Sequence, residues 1–193
     1  INPLVLDAIQ SAGGHAGYQL VANLPYNVGT PLTIAFMTLP AALQPTRILV
    51  MLQKELADRL AASPGTKEYG LPSVARQLYG SARIIRRVPP ASFYPPPAVD
   101  SAVIDIRRTG AILSSLSDAD RRSLLQFVRR CFQQRRKTAR RILTDMNYGK
   151  ERIASAFIAA GLSPDARFDT LEPAHIWSLL SELGAAPATS ASS

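Results

Sequence analysis

The sequence predicts an α/β domain followed by a small all-α domain. Three observations predict it. Short apolar runs at residues 18–22 and 47–52 alternate with segments of helical period, the pattern of strands buried in a mainly parallel sheet. Two more strand-like runs, 82–88 and 99–107, follow a second helical stretch. Past about residue 110 such runs stop, and apolar residues recur at helical spacing only. A chain of 193 residues with 47% apolar content is long enough for one or two domains with a real core.

Taken in order, Asn2 before Pro3 reads as a helix start over residues 2–11, with Leu4 and Ile9 inward and Gly13 ending it. The run 18–22 reads as a buried strand. It stops at Asn23, because Pro25 has no N–H for a sheet ladder and disfavours helix at Leu24. A helix restarts with Thr30 as N-cap and Pro31 in first position, and is apolar nearly all round, so it packs on the sheet. Asn23, Leu24, Pro25 and Tyr26 then occupy a tight loop at the carboxyl end of a strand, where open α/β sheets bind ligands. Residues 47–52 read as a buried parallel strand, 55–62 as a helix with Leu56 and Leu60 on one face, and 72–79 as another helix. Lys67, in the loop between, is a solvated lysine or a phosphate contact.

The chemistry of the first loop is specific. Asn23 offers a side-chain carbonyl, Pro25 stiffens the turn that aims the Leu24 carbonyl, and Tyr26 offers a flat face. Two acceptors and a flat face suit a planar base with an exocyclic amino group; a plain turn with a surface aromatic is the alternative. Between the strands at 82–88 and 99–107, residues 89–97 hold five prolines, so the segment is stiff and extended with no helix. It is a rigid connection, or a preset arm carrying Phe93 or Tyr94 toward the base at Tyr26 with little entropy to lose.

Ser117 with Asp120 starts the all-α part as a capping box. Leu124, Val128, Cys131 and Phe132 share one face of the helix that follows, and the same period places Arg135 in the apolar stripe. A lone buried Arg is costly, so the helix breaks near Gln134 or Arg135 meets a carboxylate. Residues 121–141 hold nine basic residues and no acid. With nothing local to pair them, Arg129, Arg130, Arg135, Arg136, Lys137, Arg140 and Arg141 read as a phosphate-contacting surface rather than a merely solvated face. Helices at 151–160 and 172–183 complete the domain, and the small polar residues 185–193 read as a disordered tail.

The net charge of +8 favours an anionic partner. One cysteine excludes an intramolecular disulfide and fits a cytoplasmic protein. His15 and His175 have no ligand-spaced partners, so no metal site is expected. No apolar run approaches the roughly 20 residues of a membrane span, and no signal peptide is visible.

Asn23-Leu24-Pro25-Tyr26-Asn27 followed by Thr30-Pro31-Leu32 resembles motif IV of the KsgA family, the rRNA adenine N6,N6-dimethyltransferases. Four more matches follow in family order: Met51-Leu52-Gln53-Lys54-Glu55; Tyr69-Gly70 with Ser73-Val74; Phe93 with Pro95-Pro96-Pro97 and Val99-Asp100-Ser101-Ala102-Val103; and Phe132 with Gln134-Arg135-Arg136-Lys137-Thr138. The resemblance implies a Rossmann-like S-adenosylmethionine-dependent methyltransferase domain over residues 1–110, N-terminally incomplete, then a small RNA-contacting helical domain over 111–184. It implies dimethylation of two adjacent adenines in the 3′-terminal hairpin loop of small-subunit rRNA, with the 30S subunit precursor as partner and the protein a monomer. Asn23 and the Leu24 carbonyl would accept the N6 hydrogens, Tyr26 and Phe93 would stack on the base, and Asn23 would also meet the cofactor. The family's glycine-rich cofactor loop has no match: Gly13-Gly14-His15-Ala16-Gly17 precedes a strand instead of following one, and reads as a helix end and loop. The isolated chain is therefore expected to be inactive. Two other readings are an erythromycin-resistance-type large-subunit rRNA methylase and a non-catalytic ribosome-assembly factor.

Overall fold

A computed structural model of the chain describes residues 17–109 and 115–184. The expected helix at 2–11, His15, most of the 13–17 glycine cluster, the boundary at residue 110 and the tail at 185–193 lie outside those residues.

Among the described residues four strands form one mixed sheet in the order β1-β2-β4-β3. β1 (Gln19–Asn23) runs parallel to β2 (Arg47–Gln53), with Asn23 in register with Met51. β3 (Gly80–Val88) and β4 (Ser101–Arg108) form an antiparallel pair, and β4 inserts beside β2, leaving β3 at the edge. The expected burial of β2 holds for one face only. Ile48, Val50 and Leu52 are buried while alternate residues are half-buried, because the described helices pack against that face. Those three residues, with Ala102, Ile104 and Ile106 of β4, form a core under α1 (Tyr26–Met37), α2 (Lys54–Ala61) and α3 (Leu71–Tyr79). α1 buries Gly29, Thr33, Phe36 and Met37 but leaves Val28 and Pro31 exposed, so it is one-sided rather than enclosed.

The first helix starts earlier than the sequence predicts. Pro25, not Thr30, is its N-cap, Tyr26 is its first residue, and Pro31 lies inside it. The amides of Val28 and Gly29 donate to the Pro25 carbonyl at 3.1 and 2.9 Å, closing the first turn at once. Pro31 removes one donor, from the Asn27 carbonyl, on an exposed face open to solvent. Only Leu24 and Pro25 therefore lie between strand and helix. The proline arm also differs: Pro90–Ser92 forms a single 3-10 turn, which proline tolerates at a first helical position.

The remaining helices are α4 (Asp118–Cys131), α5 (Ala139–Asp145), α6 (Lys150–Ala159) and α7 (Pro173–Leu183). Ser117 caps α4, its Oγ accepting the Asp120 amide at 3.1 Å. α4 ends at Cys131 and a 3-10 turn, Phe132–Gln134, breaks the run where the cost of burying Arg135 requires. α5, which periodicity does not separate from the basic run, restarts under a Thr138 cap. These helices share a second core with Tyr69, Val74 and Leu78. The buried Tyr69 hydroxyl donates to the Leu171 carbonyl at 3.0 Å, and its ring meets Phe132 edge-on.

Candidate active site and RNA-contacting surface

Asn23, Leu24, Pro25 and Tyr26 share one cleft of about 350 Å³ with Phe93, Tyr94, Pro95 and Pro97. The two groups are far apart in sequence and meet because β4 folds back beside β2. Asn23, the last residue of β1, is exposed, and its side chain takes no hydrogen bond among the described residues. Leu24 is 7% exposed, its side chain in the sheet core and its amide donating to the Met51 carbonyl at 3.3 Å. That anchoring fixes the direction of its own carbonyl, which accepts no backbone hydrogen bond among the described residues. Two carbonyl oxygens thus stand unclaimed at the cleft, at the carboxyl end of β1.

Tyr26 is held at the other end of its ring. Its hydroxyl and the Ser101 Oγ are hydrogen-bonded at 2.5 Å, and Ser101 is fully buried. Ser101 pairs with Val88 across the base of the proline arm, and the Lys54 amide donates to the Asp100 carbonyl at 2.9 Å. The arm carrying Phe93 is therefore pinned where it leaves and rejoins the sheet. Sequence reasoning named Ser101 only as part of a motif. The signal that could have found it is a hydroxyl residue opening a strand on the face that also carries Asp105, opposite the apolar Ala102, Ile104 and Ile106. Tyr94, the alternative aromatic, is fully exposed although it borders the cleft, whereas Phe93 is half-buried. The cleft offers acceptors to an amino group and aromatic surface to a ring, and it is open to solvent on the remaining side.

The basic stretch is less bare than its sequence implies. Acids from outside it fold back. Asp145 binds Lys137 at 2.9 Å and Arg141 at 3.1 Å, Asp169 lies 3.8 Å from Arg135, and Asp165 lies 4.0 Å from Arg140. The Lys137 hydrogen bond, then the charge of Arg141, holds the Asp145 carboxyl below the usual carboxylate range. Arg135 also donates to the Lys67 carbonyl at 2.9 Å, so it joins two segments besides carrying charge. Both expectations for Arg135, the break and the carboxylate, hold. Arg129, Arg130 and Arg136 form no ion pair among the described residues, and Lys67, whose carbonyl accepts from Arg135, is exposed. Arg140 and Arg141 with Lys150 and the exposed Ile158 rim a groove of about 710 Å³ between α5 and α6, floored by Ile153 and Phe157. Among the described residues no cluster of His, Cys, Asp or Glu could hold a metal ion, and no helix is long and apolar enough to cross a membrane. Cys131 is buried, and burial pushes its thiol pKa up, so it acts as packing.

The architecture defines the class, a mixed α/β sheet with packed helices followed by a helical region. The chain belongs to the ribosomal RNA adenine dimethylase family, whose model matches residues 4–184. It is 42% identical over 168 residues to the Ribosomal RNA small subunit methyltransferase A of Geobacillus thermodenitrificans, covering 85% of this chain and 56% of that protein. Its identity to the protein of the same name from Streptomyces griseus is 40% over 159 residues, covering 82% and 53%. The chain thus spans little more than half the length of these curated relatives. Among solved structures, a dimethyladenosine transferase from Plasmodium falciparum superposes with a TM-score of 0.67 at 22% identity, over 86% of this chain and 66% of that one. The 23S rRNA methyltransferase ErmE gives 0.58 at 20% identity, over 95% and 79%. Both show the shared fold.

Proposed function

We propose that the chain is the base-holding and RNA-contacting part of a small-subunit rRNA adenine N6,N6-dimethyltransferase. It acts on two adjacent adenines in the 3′-terminal hairpin loop during ribosome biogenesis, as a cytoplasmic monomer on the 30S precursor. The single observation that carries the reading is the shared cleft of Asn23, Leu24, Tyr26 and Phe93. Family membership and the names of the small-subunit relatives support it over the large-subunit alternative, whose representative shares only the fold.

The target adenine must leave its stack to be reached. Tyr26 and Phe93 hold the extruded ring, worth roughly 1–3 kcal/mol by stacking. The Asn23 side-chain oxygen and the Leu24 carbonyl accept the two N6 hydrogens. That draws the nitrogen lone pair out of conjugation with the ring and aims it away from both oxygens. The cationic amine that results from alkylation loses its proton without a strong base. S-adenosylmethionine supplies the activated methyl group when bound. The residues present fit one side of it: the Asn23 side chain, exposed and unpartnered at the end of β1, would hold it there. Residues 1–110 supply the base site, and the helices of 111–184 hold rRNA through Arg129, Arg130, Arg136, Arg140 and their neighbours by phosphate and shape contacts.

The test compares hairpin RNAs carrying adenine or unsubstituted purine at the target position. Purine lacks the exocyclic amine, so a site built on the two acceptors binds it more weakly. Asn23→Ala should erase that preference while leaving overall RNA affinity within about twofold, and should abolish methylation in the longest polypeptide that carries these residues. Equal binding of both RNAs by the unsubstituted chain refutes the role given to Asn23.

A further inference from the structure

Among the described residues β3 is the outermost strand of the sheet, with one backbone edge unpaired. Its nine residues include Arg83, Arg86 and Arg87 and no acid. Arg87 is bound to Asp58 at 2.9 Å. Arg83 and Arg86 are exposed and have no hydrogen bond or ion pair among the described residues. The ladder with β4 is bulged, pairing Ile84 with Ile104 and then Arg86 with Val103, while Arg83 faces Asp105. The extra residue, Ile85, resets the alternation, so Arg83 and Arg86 emerge on the same face of the sheet. Asp105 is the one carboxylate on β3 or β4, and Arg47 and Arg107 already occupy it, at 2.6 and 3.0 Å. The face therefore carries a local excess of guanidinium groups. Charge and a bulge also protect an edge strand from pairing with another chain. Edge protection does not fix where along the strand the charges fall; Arg86 pairs with Val103 and Arg83 with Asp105, two and four residues along β4 from Ser101, the residue bonded to Tyr26 of the cleft. The chain runs from Arg86 to Phe93 in seven residues, a span of at most about 24 Å.

We propose that Arg83 and Arg86 form a phosphate track holding the RNA strand that flanks the base in the Tyr26 and Phe93 cleft, which rests on the nucleobase reading of that cleft. Guanidinium forks suit phosphate oxygens and place a strand without reading its sequence. The track extends the RNA surface from the helices to the sheet, and it delivers the strand to the arm that carries Phe93.

The experiment titrates this chain with a fluorescent small-subunit 3′-terminal hairpin RNA between 50 and 200 mM salt (order-of-magnitude conditions for counterion analysis). For Arg83→Gln/Arg86→Gln, the slope of log affinity against log salt should fall by about 1.4–1.8, and each single variant should show about half that loss. Arg83→Lys/Arg86→Lys should restore most of the slope, which a purely structural role would not require. An unchanged slope in the double glutamine variant overturns the track. So does a variant that self-associates in size-exclusion chromatography with an unchanged RNA slope, which assigns the arginines to edge protection alone. If the unsubstituted chain fails to bind the hairpin, the nucleobase reading falls and the track with it. If it binds and the variant matches it, only the track falls.

Discussion

Tyr26 has a proposed role and an observed bond that two substitutions separate. Its face is proposed to stack on the base, and its hydroxyl is bonded to Ser101 at 2.5 Å. Tyr26→Ala removes both. The stacking loss is about 1–3 kcal/mol, or roughly 5- to 150-fold in affinity for an extruded base. Tyr26→Phe keeps the face but leaves the fully buried Ser101 hydroxyl without its phenol, a loss of about 1–3 kcal/mol in folding stability. The assay is a titration of hairpin RNA with a fluorescent adenine analogue that keeps its N6 amine, such as 8-vinyladenine, at the target position, whose fluorescence falls when the base stacks on an aromatic ring. Urea unfolding of each protein runs in parallel. Tyr26→Ala should lose both quenching and affinity. Tyr26→Phe should retain the quenching while its unfolding midpoint drops. Ser101→Ala should lower the midpoint alone and, combined with Tyr26→Phe, add little further loss, because the two changes remove one bond. The reasoning is refuted if Tyr26→Ala still quenches fully, or if Tyr26→Phe weakens RNA binding as much as Tyr26→Ala does.

Two further predictions concern the sheet that carries the site. Asp105 is buried, and hydrogen bonds, first from Arg47 and then from Arg107, hold its carboxyl below the usual carboxylate range. A depressed folded pKa means its contribution is complete above about pH 3.9, the unfolded value, and is lost as pH falls through the folded one. Asp105→Asn should therefore destabilise by about 1–3 kcal/mol at pH 7, with the gap to the unsubstituted chain closing in acid, as read by denaturant unfolding from pH 7 to pH 3. At Gly80 a Cβ would stand 2.0 Å from the Arg107 carbonyl oxygen and 2.7 Å from the Thr109 nitrogen, both backbone atoms. Gly80→Ala must spread β3 from β4 and should lower stability by about 1–3 kcal/mol in thermal melts; an unchanged melting temperature would show that the pair opens freely there.

The strands, the break at Asn23 and the stop near Gln134 were legible because each follows from local sterics or from the cost of one residue. A proline ends a ladder whatever surrounds it, and an arginine on an apolar stripe must find water or a partner. Ser117 was legible as a cap because its acceptor and donor lie three residues apart. The start of α1 at Tyr26 was not, because Pro31 looks like a helix start until Leu24 is seen hydrogen-bonded to β2, which forces the helix to begin at once. The acids that fold onto the basic run were equally invisible, since Asp145, Asp165 and Asp169 lie beyond it in the chain. By itself the sequence named the residues proposed to carry the chemistry: two acceptors, two rings and a surplus of arginine. Only the tertiary structure decided that they meet. Inserting β4 between β2 and β3 brings Phe93 into the cleft with Asn23 and sets Ser101 against Tyr26 across 75 positions. Which strands pair at that distance depends on shared burial and not on any local pattern.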